Sequence, residues 1–291
     1  MTVVDTLKRA ARPVLRAALA LVPDAVRVRI LPPAERFDRT QPTAAISAPD
    51  TPIRMLVAPT NTAWQGWTLA RGAEHVPGVG ARTSNIVAEG GGYGFLADQV
   101  VSRAEYRWSS RWQRAQRRAV MTGFTHVLLE AARPIFGDAL GRSVEADLVA
   151  LRRAGLSVAL MLYGSEIRSP QRHRERMPDS PFAAGLWSLT PALEELTARN
   201  KALADAFDGP KFLATPDLQL DLPEGVWLPI TIDTSLWNPT RAPFTKLDGP
   251  PIVSHVPSSA VVKGTDLIEP ILGRLHDEGL IRYTPLRGLQ A

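Results

Sequence analysis

The sequence predicts an α/β protein: a doubly wound, Rossmann-like parallel sheet followed by the first β-α-β unit of a second such domain. Three observations predict it. Short apolar runs alternate with longer amphipathic stretches between residues 53 and 235. Those runs are nearly continuous in apolar character, as strands of a parallel sheet buried on both faces should be. After residues 236–250, which lack periodicity, the same alternation restarts at residue 251.

Residues 5–22 space Leu7, Val14, Leu15, Ala18, Leu19 and Val22 at close to a helical period, with Lys8, Arg9, Arg12 and Arg16 on another side. This predicts an amphipathic helix, bent or shortened by Pro13. Residues 31–52 carry Pro32, Pro33, Pro42, Pro49 and Pro52 without periodicity and read as a linker. Strands are expected at 53–58, 84–88, 125–130, 156–162, 211–214 and 226–228. Helices are expected at 67–75, 96–121, 144–154 and 192–207. Gly155 supplies a C-terminal stop for the third of these. In the second unit, 251–256 and 281–283 read as strands around a helix at 264–277. Four segments follow: 1–52, a first domain at 53–235, a linker at 236–250, and a partial second domain at 251–291. About forty residues are too few for a complete domain of this kind, so the second one reads as interrupted and as the weakest part of the chain.

Composition narrows the chemistry. With 45% hydrophobic and 22% charged residues the chain has material for a core. No run approaches the roughly 18 apolar residues that suggest a spanning helix. The absence of cysteine excludes disulfides, thiolate metal sites and thiol nucleophiles. Thirty-four basic residues, only five of them lysine, oppose 29 acidic ones for a net charge of +5. That surplus suits phosphates, anionic lipid or nucleic acid without choosing among them. A cytoplasmic location is expected, with peripheral contact at the inner membrane face through residues 5–22 as one possibility.

In doubly wound sheets ligands bind beyond the carboxyl ends of the strands, so the loops there hold the candidates. The first, residues 59–66, offers Asn61, Trp64, Gln65 and Gly66 at a helix start. The loop after the fourth strand offers Tyr163, Ser165, Glu166 and Arg168 within six residues; the alternative is a helix cap at Ser165 with Glu166 paired to Arg168. An Arg-rich loop, 168–176, follows. In the second unit Ser258, Ser259, Lys263, Gly264 and Thr265 lead into a helix, where cation, hydroxyls and helix N-terminus suit a phosphate. The P-loop spacing is absent. Gly92, Gly94 and Ala97 match the dinucleotide pattern G-x-G-x-x-A, but after the second strand and not the first, which speaks against a nicotinamide site. Arg103, Arg107, Arg111, Arg114 and Arg118 predict a basic helical stripe, interleaved with half-buried Trp108 and Trp112; a solvated face, nucleic acid and anionic membrane are its readings. The five histidines show no metal-ligand spacing.

Taken together, PTNTAWQGW, THVLLE with ARPIFG after it, LRRAGLSVALMLYGSEIR, FLATPDLQLDLPEGVWLPITID and PIVSHVPSSAVVKGTDLI resemble retaining glycosyltransferases of the GT-B fold. The resemblance is to the glycosyltransferase-4-like superfamily, particularly its actinobacterial members, and covers about residues 53–291. It implies two Rossmann-like domains facing a cleft and a nucleotide-sugar donor held mainly by the second. It implies a glycan, lipid or small-molecule acceptor on the first, and no obligatory metal or other cofactor. By the same resemblance Lys263 neutralises the donor diphosphate, Gly264 and Thr265 open the adjoining helix, and Gly66 faces the cleft. Ser165, Glu166 and Arg168 match a polar run, and Tyr163 stands where a histidine near the reacting carbon is expected; Tyr163 and Glu166 are the catalytic candidates. No arginine precedes Lys263 by four or five residues, and the chain ends at Ala291 before the family's two-glutamate element. The expected function is therefore a glycosyltransferase, with inactivity of this chain allowed for. The alternative is a non-catalytic glycan-, lipid- or partner-binding protein. No specific nucleic acid is expected as a partner.

Overall fold

The computed structural model describes residues 18–19, 21–88, 94–183, 187–237, 249–257 and 259–286. Most of the basic helix expected at 5–22, the first half of the glycine pattern, Ser258 and most of the 236–250 linker lie outside them. Among the described residues no helix is long and apolar enough to cross a membrane.

The first unit is an α/β fold around seven parallel strands. In chain order these are β1 (Ile53–Ala58), β2 (Val79–Val87), β3 (Gln99–Ser102), β4 (His126–Glu130), β5 (Ser157–Leu162), β6 (Lys211–Leu213) and β7 (Val226–Trp227). They lie in the order 3-2-1-4-5-6-7, and every neighbouring pair is parallel. This is a Rossmann-like arrangement, reversing direction between β1 and β4. The helices are α1 (Asp24–Ile30), α2 (Gln65–Ala73), α3 (Arg103–Trp108), α4 (Ser110–Gly123), α5 (Val144–Arg153), α6 (Pro170–Arg176) and α7 (Thr190–Ala206).

Successive strand residues face opposite sides, and the two sides are unequal. On one, Leu56, Val127, Leu129, Val158, Leu160 and Leu162 pack with Val120 of α4, Leu148 and Leu151 of α5 and Leu203 of α7. On the other, Val57, Leu128 and Met161 meet only Leu69 and Ala70 of α2 among the helices. Helices thus flank both faces, as the sequence predicts, but unequally. The crossovers after β4 and β5 both return over the first face, leaving an apolar groove of about 750 Å³ beside Met55, Ala159, Phe212 and Leu228 on the second.

Two further expectations change. The predicted helix 96–121 is a strand and two helices. β3 pairs with β2, and the chain turns at Ser109, whose φ of −81° and ψ of 98° are extended. Its hydroxyl caps α4 by accepting from the Trp112 amide, as the Ser102 hydroxyl caps α3 through Glu105. The break divides the basic stripe, and Trp108 and Trp112 are buried rather than half-buried. The proline-rich segment 31–52 is irregular but packed. Leu31, Phe37 and Ile46 are buried, the Ile46 amide donates to Gln116 Oε1 at 3.0 Å, and Thr43 donates twice to the Glu105 carboxylate.

The second unit is β8 (Ile252–His255), α8 (Thr265–Asp277) and β9 (Arg282–Pro285). Its two strands pair in parallel, with Ile252 opposite Arg282. Among its described residues only Thr265 is buried.

Candidate functional site

The chain leaves the carboxyl ends of β1 and β4 toward opposite sides of the sheet, and the crevice between them is where such folds place ligands. Glu130, the last residue of β4, sits there with no exposed surface. Its Oε2 accepts from the Thr60 and Asn61 amides at 2.9 and 3.0 Å. Its Oε1 accepts from the Tyr163 hydroxyl at 2.5 Å. Burial pushes the Glu130 carboxyl up from its ordinary value, against the pull of these three donors. Burial, reinforced by the neighbouring Glu130 carboxylate, likewise raises the Tyr163 phenol.

Asn61 completes the seal. Its Oδ1 accepts from the Trp67 amide in the first turn of α2 at 2.8 Å, and its Nδ2 donates to the Leu96 carbonyl at 2.9 Å. Gly66 is required by this packing, since a Cβ there would meet Glu130 Oε1 at 2.6 Å and Asn61 Cα at 3.1 Å. The backbone is strained on both sides of the crevice. Asn61, Ala63 and Trp64 after β1, and Ala131 and Ala132 after β4, all take positive φ between 43° and 65°. Such conformations cost free energy and cluster where a protein holds a ligand-binding geometry. Trp64 stacks on Phe95 across the mouth, with centroids 6.4 Å apart and planes at 7°. The indole nitrogen of Trp64 and Oε1 of Gln65 are buried without a hydrogen-bond partner.

The loop after β5 braces the same crevice. The Glu166 carboxylate accepts from the Tyr163 and Gly164 amides, and its carbonyl accepts from Asn200 Nδ2 of α7 at 2.9 Å. The Glu166–Arg168 pair of the alternative reading does not form; Arg168 is instead on Asp217, donating from Nε at 3.0 Å and from Nη2 at 2.7 Å. The cap foreseen at Ser165 belongs to Ser169, whose hydroxyl accepts from Arg172 in α6; Ser165 is exposed. Asn61, Gly66 and Tyr163 thus converge on one carboxylate, with Trp64, Gln65, Ser165, Glu166 and Arg168 in the surrounding loops.

In the second unit Gly264, at φ +63°, forms the N-cap of α8, and no side chain caps the helix. A Cβ at Gly264 would find nothing nearer than Ile268 Cδ1 at 4.0 Å. Lys263 is exposed beside it and Ser259 is partly buried. Thr265 is held by a hydrogen bond of 3.0 Å between its Oγ1 and His255 Nε2. Ser258 is outside the described residues.

Two of these partners were not singled out from sequence. Glu130 had a signal: it ends an apolar strand at the same relative place where YGSE follows the next one. His255 had none, because its role depends on the return of α8 over β8. Among the described residues no group of three or more His, Asp or Glu side chains is placed to hold a metal ion. In comparisons with known proteins no family model, no curated protein and no solved structure matches this chain.

Proposed function

We propose that the chain is a glycosyltransferase of the retaining GT-B type that its motifs resemble, taking an acceptor at the β1–β4 crevice and the diphosphate of a nucleotide-sugar at the α8 N-terminus. The observation that carries this reading is the contrast between the two helix starts. In the first unit the space before α2 is filled by the protein's own Glu130, bonded to the Thr60 and Asn61 amides, while the Trp67 amide of α2 is answered by Asn61 Oδ1. A dinucleotide phosphate there would have to displace a fully bonded carboxylate, which argues against a nicotinamide enzyme. In the second unit no side chain caps α8, Gly264 carries no Cβ and Lys263 stands exposed beside it. A phosphate there would meet the lysine and the helix dipole, although the Thr265 and Leu267 amides already donate to the Ala260 and Gly264 carbonyls. Lys263 and the α8 amides would stabilise the leaving diphosphate as its charge develops, while Asn61, Trp64, Gln65 and Ser165 would orient an acceptor hydroxyl.

Titration calorimetry with UDP, GDP and their glucose conjugates tests this. A measurable affinity that Lys263→Ala weakens about ten- to a hundredfold, the loss of one charge-assisted hydrogen bond, supports the donor site. No affinity for any of them removes it. A second reading, a non-catalytic glycan- or lipid-binding protein, is favoured by one observation: the polar groups of Tyr163 and Glu166 are both bonded within the protein, so neither is poised for proton transfer. Nucleotide-sugar binding without transfer to any of a panel of glycan acceptors would select it.

A further inference from the structure

We propose that the face built by α1 and α4 docks on an anionic membrane surface. On α4, Arg111, Arg114 and Arg118 recur at helical spacing and are exposed, opposite the buried Trp112, Gln113, Gln116 and Val120. Among the described residues none of the three has a carboxylate within ion-pair distance. The nearest acids are already engaged: Asp24 accepts from the Ser110 and Arg111 amides at 3.1 Å each, and Asp38 accepts from Thr40. A surface hollow of about 480 Å³ lies between these arginines and residues 21–25, where Arg39, Arg111 and Arg114 outnumber the lining carboxylates of Asp24 and Asp38 and stand beside Leu21 and Phe37. Apolar side chains stand out of the same region, with Leu21 87% and Ile30 57% exposed and Val26 beside them. Arg29 is exposed on the same helix.

Arginines on α4 together with exposed aliphatic side chains at Leu21 and on α1 suit a bilayer interface, where lipid phosphates meet the guanidinium groups and aliphatic groups enter the headgroup region. Nucleic acid fits less well. Its single-stranded form is gripped by exposed aromatic platforms, and the tryptophans of this region, Trp108 and Trp112, are 7% and 2% exposed. The α4 N-terminus is also closed to a backbone phosphate by Asp24.

Sedimentation of the full chain with vesicles decides the matter. At low salt the protein should bind vesicles of phosphatidylcholine mixed with phosphatidylglycerol and not phosphatidylcholine alone, and high salt should release it. Joint replacement of Arg111, Arg114 and Arg118 by Gln should weaken binding about a hundredfold, at about fivefold per basic residue near such a surface. The corresponding Lys variant should retain most of it. Val26→Ser with Ile30→Ser should weaken vesicle binding severalfold and leave the melting temperature unchanged. No binding to the anionic vesicles, or undiminished binding by the Gln variant, overturns the proposal. So does binding of double-stranded DNA at the same salt as tightly as vesicles, combined with no effect of the two serines, because the face would then be a general polyanion surface.

Discussion

The starts of α2 and α8 are two versions of one local problem, a helix N-terminus reached from a parallel strand through a glycine-containing loop, and they are solved in opposite ways. At α2 the protein fills the space with its own side chains. Glu130, Asn61 and Tyr163 fill the space, and Gly66 is needed because no side chain would fit. At α8 the space stays open, with Gly264 chosen for its positive φ. The first solution stiffens a crevice whose exposed rim is polar and aromatic; the second answers the Thr265 and Leu267 amides with backbone carbonyls alone and leaves the space beside Lys263 free of a side-chain cap. The difference teaches that a glycine before a helix is not by itself a phosphate site: what matters is whether the fold has already placed a carboxylate there.

The comparison predicts its largest effect in local stability. Strands β1, β4 and β5 carry residues with no exposed surface, such as Leu56, Leu129 and Leu160, whereas Ile252, Val256, Leu267 and Ile271 of the second unit are each 50% exposed or more. Amide hydrogen exchange should therefore be slower in β1, β4 and β5 than in β8 and β9 by about a thousandfold or more, the gap between global unfolding and local opening. Equal protection would show that the second unit is stabilised as well as the first and would dissolve the contrast.

A smaller effect tests the seal. Glu130→Ala should destabilise the first unit by about 3–5 kcal/mol, since two amides and a phenol lose their buried acceptor. Glu130→Gln should cost about 1 kcal/mol or less, because the amide oxygen can accept from Thr60 and Asn61 while its NH₂ donates to a rotated Tyr163 hydroxyl. Chemical denaturation of both variants measures this. An Ala variant as stable as the parent would mean that the crevice is not held by Glu130.

Buried carboxyls also give the first unit a pH signature. Asp147 of α5 is pushed up to about 7 by burial, although its Oδ2 accepts from the Ile135 amide at 2.7 Å. A raised folded-state value means that the native state binds the proton more tightly than the unfolded chain. Its contribution is fully present below the ordinary value of 3.8 and is lost as pH rises through about 7. The melting temperature should accordingly fall across that interval, and Asp147→Asn should flatten the fall. An unchanged slope in the variant would assign the pH dependence to other groups, Glu130 first.

Much of this architecture is legible in the sequence, and the exceptions have physical causes. The runs at 125–130 and 156–162 identify β4 and β5 because central parallel strands are apolar on both faces. The helix starts expected at 144 and 192 follow from amphipathic periodicity, and the structure has them at 144 and 190. β3 is hidden because QVVS is too short to show a period and adjoins helix-forming residues. The break at Ser109 is hidden because a hydroxyl cap looks like any other serine. In the site, Asn61 and Gly66 stand out in sequence between the first strand and its helix, but the seal is long-range. Glu130 is 69 residues from Asn61 and 33 from Tyr163, distances that only the strand order closes.

The smallest predicted effect probes the open terminus alone, and it rests on the proposed donor site. Asp266 lies in the first turn of α8, where a carboxylate favours the helix by its attraction to the terminal dipole, worth about 0.3–1 kcal/mol. The same charge repels an incoming phosphate. Asp266→Asn should thus have two opposed consequences. The second unit should lose a few tenths of a kcal/mol of stability, while affinity for UDP or GDP should rise about two- to fivefold, with the gain shrinking as salt screens the exposed charge. At α2 the corresponding anion is Glu130, which is buried and bonded three times, so its removal damages the fold and opens no site. If Asp266→Asn left nucleotide affinity unchanged at low salt while Lys263→Ala abolished it, the phosphate would be held by the lysine and not by the helix terminus. The two helix starts would then differ in packing but not in their use for anion binding.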